Sequence, residues 1–301
     1  MKQAPFIIPA DVPSKVHSEF KKNYKAITKN TERLFLFSCD QKIEHMNDDF
    51  SAQSAHPDAQ DPEHLFRIAK QGRIGAMATH LGLIARYGKN YNEVNYIVKL
   101  NGKTNVVKPE QCDPLSAFLY DIEDVIEFKQ HSGLAIAGIG LTIYLGGEYE
   151  QEMLTAAAQT IFYAHRYGLV TIVWVYLRGK SITDDQNPHL LAGAAGVAHA
   201  LGSDFVKIKP PKNTTKSTQQ LKTITTAAGN TKVICAGGKP VEPKIFLQEL
   251  YNQIHTGGTY GCATGRTIFQ LSLPEAVAMT HAIAAIVMDD ATIKTALGLL
   301  K

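Results

Sequence analysis

The sequence predicts a single (β/α)8 barrel, and three observations predict it. Eight apolar runs of strand length recur along the 301 residues, each followed by a small or polar tip and then a segment of helical period. The runs lack polar–apolar alternation, as expected for parallel strands buried on both faces. No Gly-x-Gly-x-x-Gly fingerprint follows an early strand, which counts against the runner-up, a doubly wound open sheet. The length suits one such barrel, and neither a solenoid-period repeat nor a linker divides it.

Residues 1–30 read as an N-terminal helical extension, and 31–301 as the barrel. In the extension, Pro13 opens a pattern in which Val16, Phe20, Tyr24 and Ile27 recur at helical spacing, to cover the bottom or side of the domain. The first strand is Arg33 to Asp40. A long polar loop follows, from Gln41 to Asp61, then a helix near Pro62 to Lys70. Ile74 to Thr79 and Tyr96 to Leu100 are the second and third strands, with a helix through Ala85 between them. A helix is expected near Pro114 to Gln130. Ala135 to Leu145 contains the fourth strand, and Glu148 to Tyr167 is an amphipathic helix closed by Gly168. Leu169 to Tyr176 is the fifth strand. Pro188 to Leu201 is helical, with Asn187 as N-cap and Gly202 past its end.

The sixth strand lies in Ser203 to Pro211, where alternation puts Phe205, Lys207 and Lys209 on one face. Ser217 to Ala228 is helical. Lys232 to Cys235 is the seventh strand, ending in Ala236-Gly237-Gly238, and a helix spans Pro243 to His255. Tyr260 to Thr264 is the eighth strand, after which Gly265-Arg266 opens a short helix. Pro274 to Met288 is the final long helix.

Composition excludes several classes. Apolar and charged fractions of 45% and 20% are ordinary for a globular protein, and a net charge of +3 is too weak for a nucleic-acid or polybasic-membrane role. No apolar run has transmembrane length. The N-terminus lacks the continuous apolar core of a signal peptide. Cys39, Cys112, Cys235 and Cys262 show no CxxC pairing, so neither a disulfide framework nor a zinc site is expected, and the cytoplasm is the natural compartment.

In a barrel, chemistry belongs at the C-terminal ends of the strands. There the chain carries Asp40, His80, Lys99, Tyr144, Tyr176, Lys207, Lys209, Gly237, Gly238 and Arg266. Burial lowers a lysine's pKa, and a neutral amine can form a Schiff base with a carbonyl; alternatively the lysines reach water along their stems. Gly237-Gly238 and Gly265-Arg266 are suited to hold phosphate on exposed backbone N–H groups, with Arg266 adding a charge-assisted contact, or they only make tight turns. Tyr176, sharing a face with Trp174, is either a proton carrier or a packed core tyrosine. Asp40 either orients a hydroxyl and balances a lysine or caps its loop. Lys99 is either a second charge near the mouth or an interior lysine paired with a carboxylate. His80, Asp40, Glu44 and His45 are conceivable metal ligands, but HEXXH and paired strand-end histidines are missing, so no metal or other cofactor is expected.

The segments CDQKIEH, VKLNGKT, TIYLGGEYEQEM, AHRYGL, VWVYLRG and SDFVKIK, with the GG and GR tips, follow one another in order. Together, from about Arg33 to Met288, the chain resembles the class I fructose-bisphosphate aldolases of archaeal and bacterial type, within the deoxyribose-phosphate aldolase-like barrels. The resemblance implies that Lys207 forms the Schiff base, with Lys209 as the fallback. It implies that Tyr176 is the acid–base tyrosine, that Trp174 lines the substrate pocket and that Asp40 is an active-site aspartate. It also implies that Gly237, Gly238, Gly265 and Arg266 bind phosphate. The expected reaction is metal-independent cleavage or condensation of a phosphorylated ketose, fructose 1,6-bisphosphate first, by a homo-oligomeric protein. The alternatives are a transaldolase-like synthase on another sugar phosphate and a non-catalytic sugar-phosphate-binding barrel. Three departures bear on the substrate: Lys42, expected to add a charge near the mouth; Ala236, lacking a hydroxyl; and Pro210-Pro211, stiffening the exit of the sixth strand.

Overall fold

Each apolar run becomes a strand. The computed structural model describes residues 6–108, 110–212 and 217–300; residues 1–5 of the N-terminal extension and Lys301 lie outside the described residues. The barrel strands are Leu34–Ser38 (β1), Ala76–His80 (β2), Tyr96–Lys99 (β3), Ile136–Leu145 (β4), Val170–Leu177 (β5), Phe205–Ile208 (β6), Lys232–Ala236 (β7) and Gly261–Thr264 (β8). All pair in parallel with their neighbours in the chain, and β1 closes on β8.

The period of two sorts their side chains into two layers. Leu34, Leu36, Ala76, Ala78, Ile97, Val170, Ile172, Trp174, Phe205, Ile234 and Ala263 fill the barrel. Phe35, Phe37, Met77, Val98, Ile139, Val173, Val206 and Val233 belong to the layer packed under the helices. Both layers are apolar, which is why the sequence runs do not alternate.

The inner layer continues into Val12, Phe20, Tyr24 and Ile27. Helix His17–Thr28 therefore stoppers the N-terminal end of the barrel, with the Tyr24 ring 5.6 Å from that of Phe205. Burying each of these large side chains contributes roughly 1.5–3 kcal/mol. Polar groups beside the stopper are tied down. Buried His165 sits between Asp11 (Nδ1···Oδ2 2.8 Å) and Asp204 (Nε2···Oδ2 3.2 Å), and the Thr171 N–H and hydroxyl also donate to Asp204.

Several elements differ from the sequence expectation. The stretch 41–61 is not all loop: Gln41–Glu44 is a short α-helix and Pro57–Gln60 a 3-10 turn. The helix expected from Pro114 starts at Ile122, where Asp121 and Asp124 form a reciprocal capping box. Ahead of it, Ala117–Phe118 pairs antiparallel with Asn101–Gly102 beside the mouth. A last helix, Ile293–Gly298, is capped by Thr292 and was not expected. Asn187 caps its helix as expected, accepting from the N–H groups of His189 and Leu190. Among the described residues, no helix is long and apolar enough to cross a membrane.

Candidate active site

The inward period of β1 runs Leu34, Leu36, Ser38, and that of β6 runs Phe205, Lys207. These two faces meet across the barrel: Lys207 Nζ donates to Ser38 Oγ at 3.2 Å. Lys207 is buried and stands level with Trp174 of β5 in the strand register. Burial disfavours its ammonium form, Asp40 opposes that, and Lys99 adds repulsion; the pKa falls from 10.5 to about 8. Above it opens a cavity of about 390 Å3, walled by Ser38, Asp40, Glu44, Tyr144, Tyr176, Arg178, Lys207 and the tips of β7 and β8.

Asp40 is buried at the exit of β1. Burial raises its pKa, but Lys207, Lys99 and His80 outweigh this and hold it below the usual carboxylate value. Tyr176 belongs to the cavity wall one pleat above Trp174, and its ring lies 6.1 Å from that of Tyr144. Burial, with the charges of Asp40 and Glu44, pushes its phenol well above 10.0, so Tyr176 is a neutral donor at rest.

The two glycine-bearing tips have distinct physical needs. A Cβ on Gly237 would lie 1.8 Å from Thr264 Oγ1, so only glycine lets β7 pass β8 there. Gly238 has φ +70°, and a side chain there would meet nothing within 4 Å. Gly265 leads into helix Arg266–Phe269, and a Cβ on it would strike the Ser38 carbonyl at 2.2 Å. Arg266 lines the cavity and is held by Asp49 (Nη1···Oδ1 3.5 Å).

Three sequence expectations need correction. Lys209 does not continue the pleat of Lys207, because β6 ends at Ile208 ahead of Pro210, which cannot donate to a ladder. Lys209 is half-buried at the cavity rim and paired with Asp185 at 2.6 Å. Trp174 lies beneath the cavity rather than on its wall. Its indole packs over Gly140, where a Cβ would come within 2.3 Å of the ring. Lys42 turns away from the mouth, with Nζ 3.8 Å from the centroid of the Phe50 ring. Ala236 lines the cavity, and Pro210 accepts a hydrogen bond from Gln186 Nε2 at 2.7 Å, tying the β6 exit to the loop after β5.

Other groups were missed or misread. Ser38 could have been found by extending the alternation of Leu34 and Leu36. Glu44, considered only as a metal ligand, instead accepts from Lys99 Nζ and from the Tyr144 hydroxyl, both at 3.4 Å. Arg178 lines the cavity with its guanidinium 5.8 Å from the Tyr144 ring centroid. Among the described residues, no three His, Cys, Asp or Glu side chains gather as metal ligands.

The chain matches known proteins along most of its length. The family model for DeoC/LacD family aldolases covers residues 34–271. A Methanocaldococcus jannaschii protein named fructose-bisphosphate aldolase/6-deoxy-5-ketofructose 1-phosphate synthase is 47% identical over 99% of this chain and 95% of its own length. A Halobacterium salinarum fructose-bisphosphate aldolase class 1 is 30% identical over 88% of this chain and 94% of its own. Among solved structures, a fructose-bisphosphate aldolase from Slackia heliotrinireducens superposes with a TM-score of 0.96 at 48% identity, covering 98% of this chain and 93% of that one. An archaeal fructose-1,6-bisphosphate aldolase, whose catalytic lysine carries the substrate's carbinolamine intermediate, superposes with a TM-score of 0.77 at 27% identity, covering 89% and 99%.

Proposed function

The chain belongs to the DeoC/LacD family of aldolases, and on that premise we propose how its residues divide the chemistry. It is a class I, Schiff-base-forming fructose-bisphosphate aldolase, a lyase. Lys207 is the amine. The observation that carries this is its burial at the floor of a polar cavity, with a neutral hydroxyl as its only hydrogen-bond acceptor among the described residues. A pKa of about 8 leaves about a tenth of it unprotonated at neutral pH, against less than one part in a thousand for an ordinary lysine.

Lys207 Nζ adds to the C2 carbonyl of fructose 1,6-bisphosphate, and loss of water gives a protonated imine. The C4 hydroxyl gives up its proton, the C3–C4 bond breaks, and its electron pair moves into the imine to form an enamine. Glyceraldehyde 3-phosphate leaves. Protonation at C3 and hydrolysis then free dihydroxyacetone phosphate and restore the amine. Tyr176 moves these protons: its phenol is neutral at rest, and the iminium cation beside it makes the phenolate accessible. Asp40, held ionised, balances the iminium and receives substrate hydroxyls. Gly237, Gly238, Gly265 and Arg266 hold phosphate, which supplies orienting energy remote from the bond that breaks. Trp174 supports Lys207 from below. Lys209 adds a rim charge.

A second reaction is favoured by the 47% identity to the dual-named relative. Fructose 1,6-bisphosphate and 6-deoxy-5-ketofructose 1-phosphate share carbons 1 to 3 as a phosphorylated triose and differ beyond them. One enamine on Lys207 serves both. We further propose a cytoplasmic, homo-oligomeric protein. The four cysteines are free, and the exposed Phe162, Tyr163 and Tyr167 lie on and just past one helix, a face for subunits to cover.

The test is cleavage of fructose 1,6-bisphosphate followed by the triose phosphates released, with and without a chelator. Unaltered turnover in chelator is expected. Turnover abolished by the chelator, or no cleavage at all, contradicts the reading.

A further inference from the structure

The inward series of β2 runs Ala76, Ala78, His80, and its last member stands outside the chemistry assigned to the cavity. His80 is 4% exposed and lies behind the cavity wall rather than on it. Burial, joined by the charge of Lys99 and opposed by Asp40, lowers its pKa to about 4, so the imidazole is neutral, with one N–H donor and one acceptor. Among the described residues neither ring nitrogen has a hydrogen-bond partner. The Asn101 carbonyl faces the ring outside hydrogen-bonding geometry and already accepts from Lys99 at 2.7 Å. Nε2 lies over Gly102, where a Cβ would come within 3.3 Å of it. Unpaired polar groups are rare and costly in a low-dielectric interior, so an imidazole with both nitrogens orphaned calls for a cause.

The matching acceptor stands next to it. β1 and β2 pair through Ser38 and Ala78, the Cys39 N–H donates to the Ala78 carbonyl at 2.8 Å, and the Thr79 hydroxyl donates to the Cys39 carbonyl at 3.0 Å. The exit of β1 is thereby pinned to β2, and Asp40 leaves the ladder beside His80, close enough that each alters the other's ionisation. Asp40 also faces Lys207 and Lys99, yet their hydrogen bonds run to Ser38 and to Glu44 and Asn101. We propose that His80 is a positioning residue: in the substrate-bound enzyme its N–H donates to the Asp40 carboxylate and holds it turned toward the substrate's hydroxyls. The inference rests on Asp40 being the carboxylate that balances the iminium. The charged and titratable groups around the pair are Lys207 on β6, Lys99 on β3, Tyr176 on β5 and, across Gly102, Glu44 on the helix after β1. The two lysines favour the ionised carboxylate by charge, which aims nothing; a hydrogen bond from a ring fixed at the end of β2 adds the direction.

The test is steady-state cleavage of fructose 1,6-bisphosphate against pH on the full chain, with His80→Leu, His80→Asn and Asp40→Asn singly and with His80→Leu combined with Asp40→Asn. His80→Phe, which keeps a ring, replaces His80→Leu should that variant fail to fold. His80→Leu is expected to lower kcat about tenfold at pH 7 with KM changed by less than about twofold, and to move the acid limb of kcat upward by about one pH unit, since Asp40 loses a bond to its ionised form. Its melting temperature is expected to stay equal or rise, because unpaired polar atoms have left the interior. His80→Asn keeps a neutral N–H and is expected to recover most of the rate. In the Asp40→Asn background, His80→Leu is expected to cost nothing further. An equal fold loss in both backgrounds, or an unmoved acid limb, overturns the role of His80 alone. Asp40→Asn turning over like the unaltered protein overturns the role of Asp40 and this inference with it.

Discussion

At the N-terminal end of the barrel, buried His165 is bracketed by two carboxylates. At the C-terminal end, buried Lys207 meets a single hydroxyl among the described residues. Burial alone would lower the His165 pKa, but the hydrogen bonds and charges of Asp204 and Asp11 outweigh it and push it up to about 9. Burial lowers the pKa of Lys207 to about 8, and Asp40 only partly offsets it. Burial works against both cations, and it is overridden at His165 but not at Lys207. The lower end keeps its cation and is sealed by Phe20, Tyr24 and Ile27. The upper end leaves its amine ready to lose a proton beneath an open cavity. The difference teaches where to look for chemistry: at the buried charge whose partners are too few, rather than at burial itself.

The strongest way to break this comparison is to remove each cation in turn. Lys207→Met is expected to cost about 10^4-fold or more in kcat, as loss of a nucleophile does, while the melting temperature stays equal or rises because an underpaired buried charge has gone. A large loss of stability would mean that Lys207 belongs to the scaffold. Tyr176→Phe should lower kcat by about 10^2–10^4-fold while the trapped adduct persists, which steady-state and trapping assays separate. At the other end, Asp204→Ala should cost about 3–5 kcal/mol in denaturant unfolding, since it strips a partner from a buried cation, with KM for the folded fraction unchanged. A kinetic defect without a stability defect would reverse the roles of the two ends.

The smallest effect is the dependence of stability on pH. His165 binds its proton more tightly folded than unfolded, so its contribution is full below about pH 6.5 and is lost as pH rises through about 9. Lys207 has the opposite sign: its penalty is full below about pH 8 and fades toward pH 10.5. Between pH 6.5 and 8 the unfolding free energy should therefore fall, by on the order of 1–3 kcal/mol, and His165→Gln should flatten that slope whereas Lys207→Met should not. Equal slopes in both variants would remove His165 as the source.

The strands were legible because parallel strands buried on both faces leave uninterrupted apolar runs, as in Leu169 to Tyr176. Lys207 was singled out by the family resemblance, since a lysine in an apolar run also fits one that reaches water along its stem. Ser38 was within reach, since it continues the inward series of Leu34 and Leu36, but a small polar residue at a strand end carries no signal of its own. Glu44, Arg178 and Asp49 sit in tips and loops, and barrel closure alone decides what they face. The pairing of Asn101–Gly102 with Ala117–Phe118 is too short to leave a period, and the Asp121/Asp124 box that starts the next helix sits behind it. Lys209 was misplaced because strand alternation was carried past Ile208 into a segment that Pro210 had already ended.

The central claim is that the underpaired lysine, not merely a lysine at the mouth, does the chemistry. Reduce the unaltered protein with borohydride in the presence of dihydroxyacetone phosphate, then map the adduct among Lys99, Lys207, Lys209 and Lys232. A single adduct on Lys207 is the predicted result. An adduct on Lys209, at the rim and paired with Asp185, or on Lys232, paired with Glu32 at the sealed end, would contradict it.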